Sequence, residues 1–288
     1  MRLYYFFLLA VGVLVSHTVN AQPKPHDSLP IKADTITFTS GNLQLKGLLW
    51  KPEGKGPFPA ILFNHGSEPN SLRWAHRVAG VFVSEGYAFF IPFRRGQSLS
   101  KGQGHYILDA LDSATLKAAG AQNDSVAALK ARALVAIRLH ETEQLQDQMA
   151  GLQALLKQPG IDTNRIAVSG ISFGGIQTML MAAEKTPIKA AVNFASAAMM
   201  WNTSPEVQQW MKTKAGKASI PVLFVQAEND FSIEPSIQMA AVMKEKNLPH
   251  ELKIYPPSGT TPAQGHGFFA NSKAWCPAVF DFLKKYLK

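Results

Sequence analysis

Ser172 stands in Gly170-Ile171-Ser172-Phe173-Gly174, between an apolar run at residues 165–169 and the apolar stretch that begins at Phe173. The run reads as a strand and the stretch as a buried helix, so the serine falls on the turn between them. Strand, Gly-x-Ser-x-Gly and helix together form a nucleophile elbow, in which a sharp turn lifts the hydroxyl above the sheet. Glycines on either side leave room where a Cβ would collide. The N–H of Phe173, at the start of the helix, then points where a negative oxygen develops during attack on a carbonyl. The competing reading is the Gly-rich turn of a dinucleotide-binding unit, but the Gly-x-Gly-x-x-Gly spacing of such units is missing.

A serine alcohol is a weak nucleophile near neutral pH. It needs a base within hydrogen-bond reach and a third group that orients the base. Asp230, in Ala227-Glu228-Asn229-Asp230, and His266, in Gln264-Gly265-His266-Gly267-Phe268, each follow a later strand. Glu228 is the rival acid. The residues after Asp230 lead better into a helix. Gly265 and Gly267 suggest a mobile loop tip around His266. His250 precedes its strand, and His76 and His140 fall in helices. A second oxyanion donor is expected from Asn64-His65-Gly66-Ser67, after an early strand, with the N–H of Ser67 as the candidate and His65 shaping the loop. Arg94, Arg95 and Trp201 are candidates for substrate contacts. The arginines have an alternative role, bracing the loop through backbone carbonyls. Met199, Met200 and Trp210 are further candidates for an acyl pocket or for plain core packing.

Elements that would hold these groups alternate along the chain. A hairpin is expected at residues 35–39 and 43–50 around Gly41-Asn42. A strand at 60–63, a helix at 71–85 and a strand at 87–93 follow. Helical composition covers residues 106–116 and 126–156. The surplus near 105–125 reads as a helical insertion, either a lid or a surface excursion. After the elbow come strands at 190–194, 221–226 and 251–255, an aperiodic segment at 196–219, and helices at 235–247 and 273–286. Such alternation predicts an α/β fold with a mostly parallel, doubly wound sheet, whose functional loops gather at the carboxyl ends of the strands.

The 288 residues, 46% hydrophobic and 17% charged, describe a globular chain able to bury one large core. Arg2, the uncharged stretch 3–15 and the small residues at 19–21 read as a signal peptide over 1–21, which predicts a periplasmic or secreted protein with no stable membrane span after cleavage. Pro23, Pro25 and Pro30 mark 22–33 as a linker, leaving 34–288 as the folded domain. The formal net charge is +9. No basic run longer than two residues concentrates it, so nucleic acid is not expected as a partner. Cys276 is the single cysteine, which rules out an intrachain disulfide.

Taken in order, Asn64-His-Gly-Ser67, Pro92-Phe-Arg-Arg-Gly96, the stretch 161–175, Glu228-Asn-Asp230 and Gly265-His-Gly-Phe268 resemble the α/β-hydrolases, in particular the dienelactone-hydrolase-like group. The order Ser172, Asp230, His266 is theirs. This resemblance spans nearly the whole mature chain. It implies an α/β-hydrolase fold and a Ser-His-Asp hydrolase with no metal or organic cofactor. One departure stands out: dienelactone hydrolases carry a Cys nucleophile where this chain has Ser172. The expected activity is therefore cleavage of a small-molecule carboxylic ester through an acyl-enzyme. A serine exopeptidase and a non-catalytic binding protein on the same fold are the alternatives.

Overall fold

The computed structural model describes residues 32–122 and 125–288. The leader assigned to 1–21, and the linker assigned to 22–33 as far as residue 31, lie outside the described residues. The hairpin forms as expected: β1 (Asp34–Ser40) and β2 (Leu43–Trp50) pair antiparallel around Gly41-Asn42. Gly41 takes φ +59° there, a conformation that costs glycine little. Then follow β3 (Phe58–Asn64), α1 (Leu72–Ser84) and β4 (Ala88–Pro92). Three helices, α2 (Ile107–Gln122), α3 (Ser125–Leu139) and α4 (Leu145–Leu156), separate β4 from β5 (Ile161–Ile171). The remainder is α5 (Phe173–Ala183), β6 (Ile188–Phe194), α6 (Pro205–Ala215), β7 (Val222–Ala227), α7 (Glu234–Glu245), β8 (His250–Tyr255), α8 (Pro262–His266) and α9 (Ser272–Tyr286).

Among the described residues, eight strands form one sheet in the order β1-β2-β4-β3-β5-β6-β7-β8. β2 joins β4 antiparallel, and from β4 to β8 every pairing is parallel. Strands buried on both faces read as continuous apolar runs, yet their side chains still alternate between layers. Ala60 and Leu62 of β3 face the layer that holds Met179 and Leu180 of α5, Leu152 and Leu155 of α4, and Met211 and Met239. Ile61 and Phe63 face the other, with Val78 and Phe82 of α1 and Trp275, Val279 and Phe282 of α9. Two cores thus sandwich the sheet and hold the carboxyl ends of its parallel strands in fixed positions. Among the described residues, no helix is long and apolar enough to cross a membrane.

Two segments depart from the sequence reading. The helix expected over 126–156 is interrupted by a π-helical turn at His140–Gln144, a feature that adds a residue to the helical ladder. Here the carbonyl of His140 receives the amide of Gln177 on α5 at 3.1 Å, and the same amide donates to His140 Nδ1 at 2.7 Å. Burial holds this imidazole down to about 3, with the Arg94 charge adding to the effect, so it stays neutral and accepts. The supposedly aperiodic stretch 196–219 contains α6. Its start has the ordinary signals, Pro205 in the first turn with Glu206 beside it, and Lys212 and Lys214 complement the dipole at its end.

Candidate active site

β5 delivers Ser172 with φ 58° and ψ −119°, a left-handed conformation for a non-glycine residue. The surrounding structure holds this strain in place. The Ser172 N–H donates to the Phe194 carbonyl of β6 at 3.0 Å, and the Ser172 carbonyl accepts from Ile176 in the first turn of α5. A Cβ at Gly170 would sit 2.5 Å from the Gly174 carbonyl oxygen, and one at Gly174 would run into the Asn64 carbonyl of β3. Both glycines are therefore required by close approach, which brings the elbow against the loop after β3.

Asp230 follows β7 and is nearly buried, at 7% exposure. Its Oδ1 accepts from Nδ1 of His266 at 2.9 Å and from the Phe231 N–H at 2.6 Å. Oδ2 accepts from the Gln226 amide at 2.8 Å. Gln226 is itself fixed, donating to the Ser232 carbonyl and accepting from Ser236. Glu228, the rival acid, is exposed. Donation from Nδ1 to the carboxylate sets the tautomer that leaves Nε2 of His266 as an acceptor. His266 is not on a mobile loop tip. It ends α8, a short helix closed by a capping box between Thr261 and Gln264. Asn229 ties this segment to the Asp230 loop by accepting from Ser258 N–H and donating to the carbonyls of Ser258 and Thr261. Gly265 is small because the Asn229 carbonyl lies where its Cβ would be.

Ser172 and His266 line one cavity of about 440 Å³ with Gly66 and Ser67 of the loop after β3, and with Glu68, Trp74, Arg77, Tyr106, Leu108, Met199 and Phe269 among its walls. Arg94, Arg95 and Trp201, the expected substrate contacts, do not line it. Arg94 is 1% exposed and donates to the carbonyls of His65 at 2.9 Å and Gly66 at 2.6 Å. Burial lowers its guanidinium to about 10, with Glu68, Asp147 and Tyr106 acting in the opposite direction. Arg95 binds Asp147 through its side chain and its own N–H. Trp201 is buried in the core layer under α6. His65 is also buried. Burial, then the Arg94 charge, holds it well below the usual imidazole range. Neutral, it donates from Nδ1 to the Gly66 carbonyl and accepts the Arg94 N–H at Nε2. Buried cation and neutral imidazole together shape the loop that carries Ser67. Among the described residues, no group of three or more His, Cys, Asp or Glu is placed to hold a metal ion.

Tyr106 and Glu68 escaped the sequence reading. The Tyr106 hydroxyl, just ahead of α2, donates to the Ser67 carbonyl, and burial, followed by the Glu68 and Asp109 charges, pushes it up to about 12. It stays protonated and bonds the helical insertion to the loop after β3. Tyr106→Phe is expected to lower kcat about fivefold, the worth of one hydrogen bond of about 1 kcal/mol, while Tm moves by no more than about 4 °C. Steady-state kinetics beside a thermal melt check this. The only sequence cue for Glu68 is its position directly after Ser67.

A strained serine after a central parallel strand, with an acid and a histidine on the loops after later strands, defines an α/β-hydrolase. The solved structures agree on the fold: Pyrococcus horikoshii acylaminoacyl peptidase (TM-score 0.62, 18% identity, covering 90% of this chain and 42% of that one), a putative dienelactone hydrolase from Klebsiella pneumoniae (0.62, 18%, 89% and 99%), and the Pyrococcus furiosus esterase Pf2001 (0.63, 16%, 90% and 94%). The chain spans less than half the length of the acylaminoacyl peptidase. A model of the dienelactone hydrolase family matches residues 45–285, and the chain belongs to that family. The curated relative "Uncharacterized peptidase YtmA" of Bacillus subtilis is 24% identical over 248 residues, covering 77% of this chain and 82% of that protein.

Proposed function

We propose that this hydrolase is an exported serine esterase that cleaves a small carboxylic ester through Ser172, His266 and Asp230. The observation that carries the reading is the bond from His266 Nδ1 to Asp230 at 2.9 Å, on a cavity that His266 shares with Ser172. His266 Nε2 takes the Ser172 proton as Oγ attacks the ester carbonyl. The tetrahedral oxyanion is met by the N–H groups of Phe173 and Ser67. Collapse expels the alcohol, which leaves with the proton from His266, and the acyl-enzyme remains. Water, deprotonated by His266, then releases the acid and restores the serine. The apolar walls Trp74, Leu108, Met199 and Phe269 suit an acyl chain. Export rests on the leader-like residues 1–21 alone.

The same groups would cut an amide, and the peptidase named as the Bacillus relative favours that as the second reading. Fluorophosphonate labelling of Ser172, with short-chain para-nitrophenyl esters assayed against peptidyl anilides, tests both. Labelled protein that turns over esters faster than anilides supports the esterase. Anilide turnover in excess of ester turnover transfers the case to the peptidase. Folded protein that neither labels nor turns over either substrate, with Ser172→Ala behaving alike, favours a binding protein on the same fold.

A further inference from the structure

Glu68 is the one carboxylate among the cavity's lining residues, and its two oxygens differ. Oε1 accepts from the Trp74 indole N–H at 2.9 Å and from Ser71 Oγ at 2.8 Å, which fixes the side chain. Oε2 accepts no hydrogen bond among the described residues and lies over Gly66 so closely that a Cβ there would collide with it. Nor does Glu68 form an ion pair with a described residue. Arg94 stands behind the loop and its charge is felt by Glu68, but it donates to the carbonyls of His65 and Gly66, forms no ion pair with Glu68 and does not line the cavity, so within the cavity the carboxylate faces no buried cation. Arg77 does line it, but from the exposed face of α1.

A fixed anion beside the oxyanion loop is electrostatically odd. The negative substrate oxygen that forms against the N–H groups of Ser67 and Phe173 would be repelled by it, and like charges in a partly dry site oppose each other more than in water. The opposition is relieved when the substrate itself brings a positive charge. Trp74 supplies the other half of an ammonium site, because an aromatic ring attracts cations over its face. It lines the cavity, makes T-shaped contacts with Phe63 and Phe269, and is tied to Glu68 by its own N–H.

Resting on the serine-hydrolase reading above, we infer that the acyl group of the substrate carries an ammonium group, received by the free oxygen of Glu68 and the ring of Trp74. The site is a selector of cationic acyl groups over neutral ones of the same shape.

The experiment compares para-nitrophenyl esters and para-nitroanilides whose acyl chains end in an ammonium with chain-matched neutral acyl groups, across several chain lengths. The parent protein is expected to favour the ammonium substrate in kcat/KM by about tenfold or more at its best length. Glu68→Gln keeps an acceptor oxygen for Trp74 and Ser71 and so keeps the loop. It should collapse that preference about tenfold, and the preference of the parent should also weaken with added salt. A preference unmoved by Glu68→Gln, or a parent that favours the neutral substrate at every length, overturns the inference while leaving the hydrolase reading intact. Failure to turn over any ester or anilide, together with no fluorophosphonate labelling, overturns that reading and this one with it.

Discussion

Ser172→Ala is expected to lower kcat by at least ~10⁴-fold, and Asp230→Asn by about as much. For the serine the reason is direct, since alanine offers no atom to form the acyl-enzyme. For the aspartate it lies in the donors that surround the carboxylate. Oδ1 accepts from His266 and Phe231 N–H, and Oδ2 accepts from Gln226. An asparagine has one acceptor and one donor. Turned one way it faces the Gln226 amide, donor against donor. Turned the other way it forces His266 to accept at Nδ1, leaving the proton on Nε2, where the base is needed. Gln226 cannot relieve the clash by flipping, because Ser236 and the Ser232 carbonyl hold its amide. Both variants should melt within a few degrees of the parent. Turnover of Ser172→Ala at the parental rate by purified, folded protein would remove the serine from the mechanism.

Asp147→Ala is expected to destabilise the fold by about 3 kcal/mol or more, lowering Tm by roughly 6–12 °C, with little effect on chemistry in the protein that remains folded. Asp147 sits on α4 at 1% exposure. It accepts from Ser40 of β1 at 2.6 Å, from the Arg95 guanidinium at 2.7 and 2.9 Å, and from the Arg95 N–H at 2.9 Å. Truncation strands a nearly buried guanidinium, whose remaining ion pair is with Glu143 at 3.3 Å. Desolvation of that unpaired charge, not the loss of four bonds, dominates the cost. Thermal unfolding followed by circular dichroism measures it, with Ser40→Ala as the milder companion at about 1 kcal/mol. A Tm shift under 2 °C for Asp147→Ala would mean the pair contributes nothing net.

Much of this was legible in the residues alone, for identifiable reasons. The inner strands β3, β4, β6 and β7 are runs almost wholly buried on both faces, and such runs are continuous enough to read without structure, whereas β8, at the sheet's edge, has no buried residue. The elbow was legible because a serine at positive φ between two tight glycines leaves a local pattern. Asp230 and His266 stood out because their segments follow strands at the carboxyl end of the sheet, and the structure joins the two by a hydrogen bond. What stayed hidden depends on contacts across the fold. Nothing near Gly265 in sequence reveals that the Asn229 carbonyl presses on it, so a glycine that permits close packing read as one that permits motion. The break at His140 meets its hydrogen-bond partner, Gln177, on another helix. Arg94 and Arg95 follow a strand that ends at the site, and only their buried partners, the carbonyls of the Ser67 loop and Asp147, divert them from the cavity. Glu68 and Tyr106 gain their significance from a cavity whose walls come from six separate segments.

Polarity of the strands has a practical consequence. Serine, histidine and aspartate sit past the carboxyl ends, whereas the exposed turn at Glu53 and Gly54 precedes β3 and lies at the opposite end of the sheet. An affinity tag, a surface tether or a fused reporter spliced between those two residues would immobilise the enzyme with its mouth facing away from the support.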